Sequence, residues 1–436
     1  MHFSNLTKII ETKGKKYLYD SISNTLLNLS KIDKKEELKE TRDCNRFKKF
    51  TIKYPYCDTE LSDMINNQMT GITLALTEQC NLRCQYCAYM PKYLKMPCEL
   101  KEMDESIALR AIDMLMNCSK DSKYIFVDFY GGEPLLKFNL IERCVEYCKE
   151  KYPFRIPYFQ ITTNGVLLEQ DKIIKFLVKN NFHLNLSLDG PQNVQDKYRV
   201  SLDGKPTFEV IFNNIIKLYK YSPQYFKKNV IFNSVITPTT GTTEQFDFLE
   251  GLCKSENFLI EAQLTEYFLN LINSRKNIDL KNSHPIKEHS IFNKSTLKNM
   301  QKYHIALNNP GENLDFLPGG FCVPGMRRNF ITVDGKIVVC EKVNEDEEIF
   351  QIGDVYSGVD INKVKRLINK TIEKTQKCKI CWAAKFCNLC FKDIFEISDK
   401  FCEKSRTRIE KDLIKYLENI KPNKKFTSYL ENLSVE

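Results

Sequence analysis

Ten of the seventeen cysteines in this 436-residue chain fall into two groups whose spacing is that of metal ligands. The first is Cys80, Cys84 and Cys87, a C-x3-C-x2-C triplet in Leu76-Thr77-Glu78-Gln79-Cys80-Asn81-Leu82-Arg83-Cys84-Gln85-Tyr86-Cys87. Three thiolates on one tight loop can grip three irons of a cubane and leave the fourth open to a chelating ligand. The second group is Cys322, Cys340, Cys378, Cys381, Cys387, Cys390 and Cys402. Clustered soft thiolates call for soft metals, and none of the five histidines lies near either group. All-thiolate iron–sulfur or zinc sites both remain open on this evidence. The other cysteines (44, 57, 98, 118, 144, 148 and 253) read mostly as small hydrophobes, with Cys98 a candidate to line an active site.

These thiols must be positioned by elements of regular structure. Residues 1–70 are polar and Lys-rich, with two short alternating runs around Ser21–Asn24 that predict a β-hairpin and helical material after Asp33. From residue 71 apolar runs of strand length alternate with helical stretches. Predicted strands are Ile72–Thr77, Tyr124–Tyr130, Tyr158–Thr163, His183–Leu188, Val230–Ile236 and Phe258–Leu264. Ile141, Cys144, Val145 and Cys148 mark one face of a helix between the second and third. The alternation predicts an α/β fold with a six-stranded parallel sheet, open or closed into a partial barrel. Chemistry in such sheets gathers at the carboxyl ends of the strands, where each run here meets a polar or Gly-containing loop. Beyond about Asn309, Gly, Pro and Cys replace periodicity up to Cys402, the texture of a small metal-held module. The predicted boundaries are an N-terminal α+β module at 1–70, the α/β domain with its connecting region at 71–309, the cysteine module at 310–403, and a terminal helix and tail at 404–436.

Composition narrows the classes. With 42% hydrophobic and 28% charged residues, the chain is globular. No run of about eighteen apolar residues predicts a membrane span. The start carries no secretion signal, which predicts a cytoplasmic protein, and a cytoplasmic chain does not hold its thiols in a disulfide framework. The net charge of +9 is spread along the chain, as on solvated helix faces or on a protein with an acidic partner. No basic stripe interleaved with aromatics is present, so nucleic acid is not expected as a partner.

The triplet, with Tyr86 before its last Cys, resembles the signature of radical S-adenosylmethionine (SAM) enzymes, and three further loops resemble that family's motifs in order. Gly131-Gly132-Glu133-Pro134 is similar to the GGEP element, Thr162-Thr163-Asn164-Gly165 to the TNG element, and Ser187-Leu188-Asp189-Gly190-Pro191 with Arg199 to the segment contacting the SAM ribose and carboxylate. The resemblance covers about residues 71–265 and implies a partial (β/α)6 radical SAM barrel. It implies that Cys80, Cys84 and Cys87 hold a 4Fe–4S cluster. It also implies that Tyr86, Gly131, Gly132, Glu133, Thr163, Asn164, Ser187, Asp189 and Arg199 bind SAM.

Cys322, Gly335 and Cys340, then Cys378-x2-Cys381-x5-Cys387-x2-Cys390 and Cys402, are similar to the SPASM domain, an extension that holds auxiliary 4Fe–4S clusters. The family usually has three residues where Asn388 and Leu389 stand between Cys387 and Cys390. The resemblance implies an outer cluster on Cys378, Cys381, Cys387 and Cys402 and an inner one on Cys322, Cys340 and Cys390. The full complement is then SAM and three 4Fe–4S clusters. Seven thiolates cannot close two four-iron clusters, so this pairing leaves one inner iron open to a substrate thiolate.

SPASM enzymes mostly act on peptides. Val333–Val343 and Cys381-Trp382-Ala383 resemble the maturases of ribosomally made peptides that form Cys thioethers. That resemblance implies a precursor peptide whose leader binds residues 1–70, and a reducing flavodoxin or ferredoxin. The alternative is an anaerobic sulfatase-maturing (formylglycine-generating) enzyme. In that class an Asp base follows the matching Cys, and here the position is Glu341, the candidate catalytic residue.

Overall fold

The computed structural model describes residues 6–29, 49–95, 100–235, 303, 307, 315–318 and 322–420. The expected strand at 258–264, the helical material after Asp33, and Cys44, Cys98 and Cys253 lie outside them. In chain order the strands are β1 (Thr7–Thr12), β2 (Lys15–Asp20), β3 (Thr25–Asn28) and β4 (Thr51–Ile52). Then come β5 (Gly71–Ala75), β6 (Phe126–Tyr130), β7 (Tyr158–Thr163), β8 (His183–Ser187) and β9 (Val230–Asn233). The C-terminal part adds β10 (Asp315–Phe316), β11 (Asn329–Ile331), β12 (Lys336–Val338), β13 (Gln351–Asp354) and β14 (Gly358–Val359).

The described residues divide into two compact units, one drawn from 1–58, 281–322 and 365–436, the other from 59–280 and 323–364. In the first, β1–β3 form an antiparallel meander whose β2–β3 turn is Ser21–Asn24, as the alternating runs predict. The positive φ of Asn24 (58°) is one that Asn tolerates better than most residues. The meander buries Ile10, Tyr17 and Tyr19 against Trp382, Phe386 and helix Asp399–Ile420. The Tyr19 and Phe386 rings are 5.2 Å apart, and Tyr303 meets Phe386 edge-on at 4.5 Å. Each such side chain contributes about 1.5–3 kcal/mol by leaving water, so the cysteine segment borrows an aromatic core from the N-terminal strands. The division therefore groups β1–β3 with the C-terminal cysteines.

The second unit is built on one sheet of order β14-β13-β12-β11-β5-β6-β7-β8-β9. From β11 through β9 the strands run parallel. Five of the predicted strands are present, and the sixth parallel strand described is β11, from the C-terminal part of the chain. The predicted helix face is also found: Ile141, Cys144, Val145 and Cys148 of helix Phe138–Lys151 are fully buried.

Side chains alternate across the sheet. Ile331, Leu74, Phe129, Ile161 and Leu184 share one register row, and all five are fully buried. On the opposite face the next row is Phe330, Thr73, Asp128, Gln160 and His183. Two residues further along, that second face carries Tyr130, Thr162 and Asn185. One face thus makes the core and the other presents polar groups.

Candidate active site

The cysteine triplet leaves the carboxyl end of β5 and is fixed by the loop after β6. Gly132 N–H donates to Thr77 O at 2.7 Å and Glu133 N–H to Gln79 O at 2.8 Å. These bonds need close backbone approach, and a Cβ on Gly131 or Gly132 would collide with the carbonyls of Thr77 or Gln79. Gly131 also has φ +125°, open to glycine. On its other side the triplet is held by the segment after β8, with Arg83 N–H on Val200 O at 2.7 Å and Gln85 N–H on Tyr198 O at 3.0 Å.

Glu133 is 1% exposed and accepts from Thr163 Oγ1 at 2.6 Å, Asn164 N–H at 2.8 Å and Leu135 N–H at 3.1 Å. Burial pushes its carboxyl upward, and those donors oppose the shift. Asn164 donates its side-chain N–H to Asn81 Oδ1 at 2.7 Å and reaches Cys80 Sγ at 3.7 Å. Tyr86 donates its hydroxyl to Asp189 Oδ2 and accepts from Arg199 Nη1 at 3.0 Å. Asp189 also takes Val235 N–H on Oδ1 at 2.9 Å. Burial opposes the Arg199 charge, but Cys84, Tyr86 and Asp189 outweigh it and raise the pKa. Arg199 Nε is buried without a hydrogen-bond partner. Thus Tyr86, Gly131, Gly132, Glu133, Thr163, Asn164, Asp189 and Arg199 are linked at the carboxyl edge of β5–β8. Ser187 ends β8 on the polar face of the sheet.

Burial, then the Glu133 charge, pushes the Cys80 thiol up to about 12, with smaller contributions from Cys84 and Cys87. Burial also raises Cys84, while Arg199 draws it down. Such thiols ionise when a metal takes them, with release of protons. Among the described residues no three Cys, His, Asp or Glu side chains converge as a cage for a single metal ion. A cubane instead takes its thiolates at separate corners. The three-thiol loop, the glycine cradle and the orphaned Arg199 Nε fit a cluster with a charged chelating ligand.

In the first unit Cys378 is pushed up to about 12 by burial and then by the charges of Cys381, Cys387 and Cys402, each of which lies within electrostatic reach of it. Cys402 lies in the opening turn of helix Asp399–Ile420. Cys390 is held by its own N–H on Asp393 Oδ2 at 2.9 Å, and Cys322 is exposed. In the second unit Cys340 is buried and its sulfur accepts Lys342 N–H at 3.4 Å.

Glu341 pairs with Arg328 Nη1 at 2.8 Å, and its second oxygen is buried without a partner. Its charge reaches Asp128 on β6. Burial, then Glu341, pushes Asp128 up to about 7 despite Arg328. Asp128 Oδ1 is likewise buried and unpartnered. Asp128, Tyr130, Gln160, His183 and Asn185 share the polar face of the sheet and were not singled out from the sequence. Their signal was present as polar residues alternating with apolar ones along β6, β7 and β8.

Residues 74–242 match the sequence profile of the radical SAM superfamily. An uncharacterized protein of Methanocaldococcus jannaschii is 29% identical over 328 residues, 74% of this chain and 98% of that protein. The serine-type anaerobic sulfatase-maturating enzyme of Bacteroides thetaiotaomicron is 31% identical over 150 residues. That alignment spans 34% of this chain and 35% of the enzyme. In fold the chain is similar to native anSMEcpe, solved with bound AdoMet and the Cp18Cys peptide, at a TM-score of 0.58 and 18% identity. The match covers 84% of this chain and all of that one. Residues 74–242 thus carry a radical SAM domain, which implies SAM and a 4Fe–4S cluster, and about a third of the chain aligns with an anaerobic sulfatase-maturating enzyme.

Proposed function

We propose that this chain is a radical SAM maturase that forms a Cys thioether in a ribosomally made precursor peptide, using one SAM-binding and two auxiliary 4Fe–4S clusters. When bound, SAM and its cluster supply a 5′-deoxyadenosyl radical that takes a hydrogen atom from carbon. The observation that carries the reading is a pair of hydrogen-bonded groups flanking the cysteine triplet, Cys80 with Asn164 and Glu133, and Tyr86 with Asp189 and Arg199. Cys80, Cys84 and Cys87 hold the cluster, Gly131 and Gly132 let the backbone approach, and Arg199 takes the SAM carboxylate. Cys378, Cys381, Cys387 and Cys402 hold the outer cluster; Cys322, Cys340 and Cys390 hold the inner one. Glu341 stands next to Cys340 to receive the substrate thiol proton. Residues 1–70 receive the leader, and a flavodoxin or ferredoxin supplies electrons.

The second reading is formylglycine synthesis on a sulfatase. The named maturase relative and the similarity in fold favour it, and the count of seven auxiliary cysteines favours the thioether. The discriminating experiment incubates reduced protein and SAM with a Cys-containing ribosomal precursor peptide, and with a sulfatase-derived Cys peptide. Thioether formation removes two hydrogens, keeps the sulfur and blocks thiol alkylation. Formylglycine loses the sulfur and gains a hydrazide-reactive carbonyl. Turnover of the second peptide alone overturns the thioether reading.

A further inference from the structure

Two carboxylates, Asp128 and Glu341, share a neighbourhood with one guanidinium, Arg328. Arg328 is committed to Glu341 at 2.8 Å and reaches Asp128 only through its field, and Asp128 Oδ1 is buried with no hydrogen-bond partner. Its register neighbours Thr73 and Gln160 carry no charge. Tyr130, on the same strand, is held neutral because burial and then Glu341 raise its phenol to about 12. His183, at the end of the row, is drawn toward the neutral form by burial and then by Lys228. Asp128 is half-buried, with one oxygen shut off from water and unpartnered; a cation at that oxygen recovers much of the cost of burying it. The residue lies on the polar face of the sheet, mid-strand on β6, three residues before the Gly131–Gly132 turn.

We propose that Asp128 is a specificity-determining residue that binds a cationic Lys or Arg side chain of the substrate, placed beside the residue to be modified. This rests on the peptide-maturase reading for the identity of the substrate. The chemistry recognised, an ammonium or guanidinium on a flexible stem, follows from Asp128 itself. Glu341 differs from Asp128 in that Arg328 already neutralises it through Oε1. Because the cation pairs with the ionised carboxylate, affinity is full above the Asp128 pKa of about 7 and falls as the pH drops through it.

The test uses the full chain and four probes: capped peptides Gly-Cys-Lys-Gly and Gly-Cys-norleucine-Gly, with Nα-acetyl-lysinamide and Nα-acetyl-norleucinamide. Binding is measured by calorimetry one pH unit above and below about 7. The Lys peptide is expected to bind roughly tenfold more tightly than its isostere at the higher pH, with the preference shrinking at the lower. Asp128→Asn is expected to abolish both the preference and its pH dependence, whereas Asp203→Asn, an exposed acid paired with Lys205, leaves them unchanged. Asp128→Ser, checked for an unaltered melting profile, guards against a folding defect in the Asn variant. Equal binding of the Lys and norleucine probes, including no detectable binding of either, overturns the proposal. So does a Lys preference that survives in both Asp128 variants. A Lys preference with the amides, alongside no thioether in any peptide, supports Asp128 as cation-binding and removes only the maturase reading.

Discussion

Asn164 donates to Asn81 across 2.7 Å, joining the loop after β7 to the middle of the cysteine triplet. Its own side-chain oxygen accepts Val166 N–H at 3.0 Å, so the amide is held at both ends. The triplet is therefore gripped from three strand ends.

Replacing Asn164 with Ala should cost about 0.5–1.5 kcal/mol of stability and loosen the loop that carries Cys80. Urea melts of the metal-free chain measure the first effect. Iron retained after desalting the reconstituted protein measures the second, and it should fall while the auxiliary irons stay.

Gly131→Ala and Gly132→Ala each force a Cβ into the backbone of the triplet. A loss of about 2–4 kcal/mol is expected for each, with no 5′-deoxyadenosine formed. Gly204→Ala is the control: φ is +77° there, but no atom lies within 4 Å of the added Cβ. It should cost only about 1 kcal/mol and keep SAM cleavage.

Iron counting tests the cluster assignment. Reconstituted wild type should hold about twelve irons, and the Cys80/Cys84/Cys87→Ala variant about eight. Removing Cys378 and Cys402 together should also cost one cluster while leaving SAM cleavage measurable. Four irons in the wild type, or stoichiometric zinc, would contradict the three-cluster proposal.

Tyr86 sits between the Asp189 and Arg199 side chains, so Tyr86→Phe removes two hydrogen bonds and leaves both ions. The SAM concentration needed for half-maximal cleavage should rise several-fold. Arg199→Ala should raise it further, by ~10- to 100-fold, the scale of one charge-assisted bond. An unchanged SAM requirement in Arg199→Ala would detach that residue from SAM.

The proposed inner auxiliary cluster has three assigned cysteines, and the open iron that this count implies is tested by electron paramagnetic resonance. In the Cys80/Cys84/Cys87→Ala variant, a peptide with its acceptor Cys should shift the signal of one reduced cluster, and its Ser counterpart should not. Thiolate is the soft ligand iron prefers. Identical spectra would mean a closed cluster and would remove the argument for a thioether.

The loops were legible because each follows an apolar run: Ala75 leads to Cys80, Tyr130 to Gly131, Thr163 to Asn164 and Ser187 to Asp189. Five strands and the Ile141–Cys148 helix face followed from period alone. Two things did not. β11 is three residues long, and its pairing with β5 sets Asn329 beside Ile72 and Ile331 beside Leu74, a relation that local periodicity does not contain. Asp128 looked like one polar residue in a strand, because its significance depends on Arg328 and Glu341, far downstream in the chain. The grouping of β1–β3 with Trp382 and Phe386 is non-local in the same way.

The parallel pairing of β11 with β5 has a consequence for how the chain must be made. Until Asn329–Ile331 has been synthesised, the flank of β5 that will receive it is a row of unsatisfied amides and carbonyls, the kind of edge that recruits other chains. A truncation ending near residue 309 would therefore expose a sticky strand rather than yield a smaller enzyme. The docking step, closing so long a stretch of chain, is expected to be a slow event in folding. Expression yield should depend on whether chaperones shield that edge during the wait.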